Sequence, residues 1–237
     1  MKGSDALRRQ YLDAMGIELW ERRALITSES RSAPAQDLSA ASATRTSAEP
    51  AAIEGMNWEA LESAVRACVR CPLHASRTQT VFGVGSSNAE WLFIGEAPGV
   101  QEDLQGEPFV GRAGLLLNAM LAAIGLTREQ VYIANVLKCR PPKNRDPQIE
   151  EIECCEPYLL RQIELINPRI ILALGRHAAH SLSKTELPLS KLRGRRLSYH
   201  GIPLIVTYHP AYLLRSPLDK RKVWDDLCLA RTVVGSP

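Results

Sequence analysis

Four short apolar segments recur along the chain after Trp58, and each is followed by a turn and then by a helical pattern. They are Trp91–Ile94, Val131–Val136, Ile170–Leu174 and Leu204–Thr207. Strands that alternate with helices are typical of a largely parallel sheet covered by helices on both faces. The pattern therefore predicts an α/β fold.

Two longer segments have helical spacing. Ala113–Leu126 is apolar nearly all round, which predicts a buried helix. The segment Pro147–Ile166 carries a single apolar stripe, interrupted by Pro157, where we expect a kink or a restart of the helix. The stripe consists of Ile149, Ile152, Leu159, Ile163 and Ile166.

The N-terminal quarter has a different composition. Residues 27–56 contain no aromatic and few branched apolar side chains, so we expect a disordered linker. Residues 1–26 instead contain apolar residues at near-helical spacing, and Trp20 follows them with two arginines close to it. This composition predicts a docking peptide, with a tail that has no partner as the alternative, and leaves 57–237 as the folded domain.

Composition narrows the class of protein. The 237 residues are 45% hydrophobic and 23% charged, as in ordinary globular proteins, and the net charge of +3 is compatible with an anionic partner. No segment approaches the roughly 18 apolar residues of a membrane span, and the first ten residues lack the apolar core of a signal peptide. We therefore expect a cytoplasmic monomer without a membrane partner. In that reducing compartment the six cysteines favour metal or cluster ligands over disulfides.

The cysteine spacing predicts one metal centre. Cys68 and Cys71 form a C-x-x-C pair, and Cys139 offers a third thiolate. Cys155 lies on the apolar stripe of its predicted helix, whereas Cys154 lies about 100° round the helix, so Cys155 is the better fourth ligand.

The spacing alone leaves the metal open. Four thiolates suit either structural zinc or an iron–sulfur cluster, and the scattered third and fourth ligands favour a cluster modestly. Cys228, in a predicted closing helix, is expected to be a core residue.

Polar residues follow the four predicted strands. Glu96 lies in a GEAPG turn after the first, Asn135 ends the second, a GRHAAH segment follows the third, and His209 follows the fourth. Ligands of parallel sheets bind beyond the carboxyl ends of the strands, so we expect one site there. Phe109, between small residues, suits either core packing or stacking on a base.

Together these motifs resemble the family 4 uracil-DNA glycosylases, the iron–sulfur branch of that superfamily. The likeness covers roughly Trp58 to Val233 and rests on GEAPG with Glu102, PFVGRAG, NVLKCRPPKNR, the C-x-P-Y-L from Cys155 and TYHPAYLLR. The resemblance implies a three-layer α/β/α fold with a mostly parallel central sheet and excision of uracil from DNA. It also implies a 4Fe–4S cluster on Cys68, Cys71, Cys139 and Cys155, with Cys154 as a spare thiol outside the family's pattern.

The resemblance also implies roles for the strand-end residues. Glu96 would position or activate water, and His209 would donate to the uracil 2-oxygen, as stabilisation of the leaving base requires. Phe109 would stack on the base, and Asn135 would donate to the 4-carbonyl and accept from N3–H, a pattern that cytosine reverses. Gly95 and Glu102 complete the predicted uracil site, with Glu102 near C5, where it would exclude thymine.

The predicted DNA contacts surround these residues. Between residues 188 and 222 there are eight basic side chains against one acidic, which suits phosphate contacts to single- and double-stranded DNA. Leu213 and Leu214 are expected to wedge into the space that a flipped nucleotide leaves. The other predicted contacts are Arg112, Lys143, Arg145 and Arg215.

Residues 8–23 of the predicted docking peptide have a resemblance of their own. They resemble the N-terminal segment of the bacterial clamp-loader psi subunit, which implies the clamp loader as a partner of residues 1–26. The main prediction is a monofunctional glycosylase, since the motifs show no lysine nucleophile. The alternatives are a non-enzymatic iron–sulfur DNA-binding module recruited to the replication machinery and a hydrolase with structural zinc.

Overall fold

A computed structural model describes residues 50–235, and its centre is a mixed sheet. Within those residues the sheet has six strands in the order β1-β3-β2-β4-β6-β5. The four central strands are parallel, and the two edge strands are antiparallel to their neighbours. The strands are β1 (Val84–Gly85), β2 (Trp91–Gly95), β3 (Tyr132–Asn135), β4 (Ile170–Leu174), β5 (Leu197–Tyr199) and β6 (Ile202–Thr207).

The four predicted strands are confirmed as β2, β3, β4 and β6, with small shifts at their ends. The edge strands were not predicted, because segments of two and three residues carry too little hydrophobic pattern. The hairpin between β5 and β6 turns through His200 and Gly201. These two residues have φ of 47° and 83°, as a type I′ turn requires.

Helices cover both faces of the sheet, which confirms the three-layer α/β/α fold. None of those between residues 50 and 235 combines the length and the apolar character that crossing a membrane requires. The helices are α1 (Pro50–Glu54), α2 (Trp58–Arg66), α3 (Val100–Gln105), α4 (Arg112–Ala123), α5 (Ile149–Ile166), α6 (Arg176–Ser183), α7 (Leu189–Leu192), α8 (Pro210–Leu213) and α9 (Lys220–Val234).

Side chains of β2 alternate between the two layers. Leu92 and Ile94 pack with α5, α6 and α7, and Trp91 and Phe93 pack with α4 and α9. This alternation is the period of a strand that is buried on both faces, so the continuous apolar pattern of β2 has a direct structural cause.

Helix α4 departs from its prediction. It is buried on one face only, and the side chain of Leu115 is 69% exposed. An apolar residue on a surface is common in folded proteins, so an all-round apolar pattern does not require all-round burial. The helix also ends at Ala123, before Gly125 with its positive φ of 75°.

Helix α5 is continuous through Pro157, so the predicted restart does not occur. Burial of residues on both sides of the proline, among them Cys155 and Leu159, holds the helix against the packed core. Ile149 was assigned to the inward stripe, but it begins the helix and is 70% exposed.

The folded part begins earlier than predicted. Helix α1 lies inside the segment assigned to the linker, and Ile53 is 0% exposed in a core cluster with residues of α2 and α5. The carbonyl of Met56 also accepts a hydrogen bond from Nε of Arg161, at 2.7 Å. The predicted peptide 1–26 and the linker up to residue 49 lie outside the described residues.

Candidate active site

A cleft of about 490 Å³ opens at the carboxyl ends of the parallel strands. Register places Gly95 of β2 directly opposite Asn135 of β3, and β6 ends two residues before His209. Seven of the residues that the sequence assigned to catalysis, uracil binding or DNA contact line this cleft, namely Glu96, Glu102, Phe109, Asn135, Arg145, His209 and Arg215.

Gly95 packs closely against two residues of the cleft. A methyl group there would lie 2.4 Å from Oδ1 of Asn135 and 2.7 Å from Cζ of Phe109. A Cβ atom essentially never comes this close to a non-bonded heavy atom, so only glycine leaves room for the amide and the aromatic ring to stand as they do.

Phe109 is held by its loop in the left-handed region, with φ of 56°. The carboxylate of Glu102 accepts hydrogen bonds from the backbone N–H groups of Val110 and Gly111, each at 3.1 Å, and from Gly99 at 3.1 Å. The amides of Val110 and Gly111 fix the loop and with it the aromatic ring, and the Gly99 amide ties the same carboxylate to the start of α3. Glu102 thus lines the cleft but uses its carboxylate on the backbone, a role that the sequence did not reveal.

Arg128 supports the same loop and was not predicted. Its guanidinium donates to the carbonyl oxygens of Pro108 and Phe109. Burial is the main reason that the pKa of this guanidinium is lowered. The residue lies between the PFVGRAG and NVLKCRPPKNR motifs and belongs to neither, so no motif pointed to it.

His209 has a defined hydrogen-bonding state. Its Nδ1 accepts a hydrogen bond from the N–H of Ala211 at 3.1 Å, which leaves Nε2–H as the donor. Burial, together with the nearby charge of Arg215, lowers the pKa of the ring to about 4, so it is neutral at physiological pH. The ring stacks on Phe109 with centroids 5.4 Å apart.

Glu96 is a carboxylate with unusual acidity. Burial raises its pKa to about 7, the charge of Asp146 adds to this, and Arg176 opposes it. Nε2 of His177 lies 3.9 Å from the Glu96 carboxylate and 3.3 Å from Oδ2 of Asp146. The third strand end therefore does reach the site, through Arg176 and His177 of the GRHAAH segment, whereas Asp146 was not among the predicted site residues.

Asn135 is buried and is fixed from behind by Lys138. The ammonium of this lysine, itself buried, donates to the backbone carbonyl of Asn135 at 2.9 Å. Burial lowers the pKa of Lys138 to about 8, against the opposing influence of Cys155 and Cys139.

Five cysteines line a second, smaller cavity beside this lysine. They include the four predicted ligands, and none of the described cysteines forms a disulfide. Cys228 lies in α9, in the layer on the other face of the sheet, and is half-buried rather than buried. The cavity is lined by Val65, Cys68, Arg70, Cys71, Lys138, Cys139, Cys154, Cys155 and Tyr158.

Two of the predicted ligands accept hydrogen bonds through sulfur. Nη1 of Arg77 donates to Sγ of Cys139 at 3.0 Å, and the N–H of Lys138 donates to Sγ of Cys155 at 3.3 Å. Burial raises the pKa of the Cys155 thiol to about 12. A thiol with this pKa is protonated at neutral pH, and it would lose its proton on binding a metal ion.

Comparison with known proteins decides the family. Residues 82–228 match the model of the uracil DNA glycosylase superfamily. The type-4 uracil-DNA glycosylase of Archaeoglobus fulgidus is 50% identical over 170 residues, which are 67% of this chain and 85% of that protein. The chain is a type-4 member of the uracil-DNA glycosylase superfamily. A second type-4 uracil-DNA glycosylase, from Thermotoga maritima, is 43% identical over 74% of this chain and 94% of its own length. The type-5 uracil-DNA glycosylase of Thermus thermophilus is 30% identical, over 65% and 87%.

On this glycosylase fold the two leucines assigned to DNA have different surroundings. Leu213 is 1% exposed and packs in the core between α4 and α9, so its assignment as a wedge is wrong. Leu214 is 38% exposed and remains available. The two side chains lie about 100° apart on a helical turn, which sends one inward and leaves the other outside.

The predicted cations also differ. Arg112, Lys143 and Arg215 are exposed. Arg145 instead forms a two-pronged ion pair with the buried carboxylate of Glu151 and donates to the carbonyl of Asp146 at 3.0 Å. Its guanidinium therefore braces the cleft wall before α5, and its assignment to DNA contact alone was incomplete.

Proposed function

We propose that the chain hydrolyses the N-glycosidic bond of uracil in DNA and leaves an abasic site. The observation that carries this proposal is the slot formed by the Phe109 ring, the Asn135 amide and Nε2–H of His209 around Gly95. A flat base fits against the ring, and each of its polar edges then has a protein partner. Such a base must leave the duplex stack before its sugar bond is accessible.

Selection of uracil follows from the Asn135 amide. Its N–H₂ donates to the 4-carbonyl and its oxygen accepts from N3–H, whereas cytosine presents an amino group and a bare nitrogen at these positions. The buried amide would then face unmatched partners, and such mismatches are strongly discriminating. Lys138 supports this selection by holding the backbone of Asn135 in place.

Bond cleavage separates charge between sugar and base. The electron pair of the C1′–N1 bond passes to uracil, and positive charge develops on the sugar. His209 donates through Nε2–H to the 2-oxygen of the departing base, and the Glu96 carboxylate stabilises the sugar cation and orients the water that adds to C1′. None of the described residues that line the cleft is a lysine, which supports a monofunctional reaction without strand cleavage.

The acidity of Glu96 predicts a pH dependence. The carboxylate must be ionised to act, and its pKa is raised to about 7, so the rate should fall about tenfold for each pH unit below that value. His209 has a pKa of about 4 and stays neutral between pH 5 and 8. The pKa of His177 is lowered, so this ring takes up a proton at lower pH than an ordinary histidine does. Single-turnover rates between pH 5 and 8 check this. Glu96→Gln should lower the plateau and remove the acid limb, and an unchanged limb in that variant would assign the titration to another group.

The cysteine cavity is proposed to hold a 4Fe–4S cluster on Cys68, Cys71, Cys139 and Cys155. The donor set supports this, because four thiols meet in one cavity and two of them receive N–H donors, as cluster sulfurs do. When bound, a cluster would link three parts of the chain covalently. They are the start of the domain, the segment that follows β3, and helix α5. Iron and acid-labile sulfide in equal amounts in the purified chain would support the cluster, and zinc without iron would favour the structural-zinc alternative.

Contact with duplex DNA is proposed to involve Leu214. Leu214→Ala should slow release from double-stranded substrate more than from single-stranded substrate, because only the duplex must be held open beside the flipped nucleotide. Leu213→Ala is the matched comparison. Since this side chain is buried, we expect it to cost about 2–5 kcal/mol of stability without any preference between substrates. Equal loss on both substrates for Leu214→Ala would contradict the wedge.

The test of the proposed function is release of the base. The full chain is mixed in excess with oligonucleotides that contain a single uracil, cytosine or thymine, and abasic sites are revealed by alkali. We expect breaks at uracil alone, and none before alkali treatment. DNA binding without release would instead favour the non-enzymatic binding module. The clamp-loader partner of residues 1–26 remains a prediction, because those residues precede both the described part and the family match.

A further inference from the structure

Cys154 lines the same cavity as the four proposed ligands. It precedes Cys155 on α5, where consecutive residues are rotated by about 100°, and it is half-buried. Five thiols therefore meet where a four-ligand cluster needs four, and nothing in the proposed function uses the fifth.

The contacts of Cys154 place it on one side of the cavity. Its S–H donates to the carbonyl oxygen of Arg70 at 3.4 Å, and Arg70 directly precedes Cys71 in the chain. Cys71 and Cys154 both line the cavity. The hydrogen bond therefore places Cys154 beside the peptide that leads into Cys71.

The four proposed ligands are not held equally. Cys139 and Cys155 are buried, and each sulfur accepts a hydrogen bond from Arg77 or from the backbone of Lys138. Cys68 and Cys71 are half-buried, and Cys71 also stands before the short 3₁₀ turn Pro72–Ala75, whose first residue is exposed. Solvent and oxidants therefore reach the Cys71 side of the cavity more easily than the side with Cys155.

We propose that Cys154 is a reserve ligand that replaces Cys71 at its iron. The inference rests on the proposed cluster. In the exchange the Cys71–iron bond breaks and a Cys154–iron bond forms. Cys154 loses its thiol proton to water, the released Cys71 thiolate takes one up, and no electrons are transferred. The hydrogen bond from Cys154 to the Arg70 carbonyl is given up, and side-chain rotation brings the sulfur into the cavity.

The test compares full-length Cys71→Ala, Cys154→Ala and the double variant, purified without oxygen, by iron and acid-labile sulfide per chain and by visible absorption. Alanine is used because a serine oxygen could itself bind iron. Cys71→Ala should keep most of its iron, and the double variant should lose it. Cys139→Ala should lose its iron whether or not Cys154 is present, and Cys228→Ala should behave as the native chain.

Two results would overturn the proposal. One is equal loss of iron from Cys71→Ala and from the double variant; the other is retention of iron by the double variant. Alkylation provides a readout on the thiol itself, since Cys154 should react in the native chain and become protected in Cys71→Ala.

If Cys71→Ala does not fold, the rate at which the cluster is lost in air provides the test. Cys154→Ala should then lose it several-fold faster than the native chain, and equal rates would contradict the reserve role. Absence of iron from the native chain would refute the cluster and leave the proposed glycosylase reaction untouched.

Discussion

Gly95→Ala is expected to slow uracil release by about 10²-fold or more while the chain still folds. The added methyl group would lie 2.4 Å from the Asn135 amide oxygen and 2.7 Å from the Phe109 ring. Both neighbours are the far ends of side chains, so they can give way without unfolding the sheet. Their displacement removes the slot that is proposed to receive the base.

The matched control is Gly55→Ala. Gly55 has nothing within 4 Å of the position of an added methyl group, and it lies between α1 and α2, away from the cleft. Single-turnover release and thermal unfolding of both variants separate loss of the slot from loss of stability. A native rate in Gly95→Ala would show that the base does not occupy this slot.

His209→Ala is expected to reduce release by about 10²- to 10³-fold, the usual cost of losing one donor to a developing oxyanion. The ring is neutral, because its pKa is about 4, and Nε2–H is its free donor. Its contribution is therefore a hydrogen bond that strengthens as negative charge grows on the leaving base.

The contribution of the His209 hydrogen bond can be tested with a base that leaves more easily than uracil. The anion of 5-fluorouracil is more stable than that of uracil, so it depends less on the donor, and the deficit of His209→Ala should shrink on 5-fluorouracil. Comparison of single-turnover rates on the two bases measures the change. His200→Asn, on the exposed turn between β5 and β6, serves as the control and should match the native chain on both. An equal deficit on both bases would indicate that His209 acts only by packing on Phe109.

The central sheet was predictable because its strands are buried on both faces. β2 and β4 each have five buried residues in succession, so their apolar pattern is unbroken. The edge strands β1 and β5 lack an unbroken apolar pattern, because they are short and pair with a neighbour along one side only. The clustering of the site residues was predictable from the parallel arrangement. A parallel sheet brings the carboxyl ends of its strands to one edge, and these residues lie at those ends.

Several features of the site could not be predicted from the pattern. Glu102 lies in a motif that pointed to the base, yet its carboxylate turns to three backbone amides, and no sequence signal distinguishes the two directions. The adjacent leucines 213 and 214 are chemically identical and differ only in which way a four-residue helix turns them. Asp146 and His177 are 31 positions apart and meet beside Glu96 only through the fold.

The order of these parts along the chain bears on how the molecule is made. All five cavity cysteines precede residue 156, whereas β4, β6 and His209 follow it. Synthesis proceeds from the N-terminus, so the thiols are complete while β2 still lacks its neighbour β4. Metal binding contributes directly to folding free energy, and metal held at this stage would stabilise half of the sheet before the other half exists. The proposed cluster site is thus finished before His209, the proposed donor to the leaving base, has been synthesised.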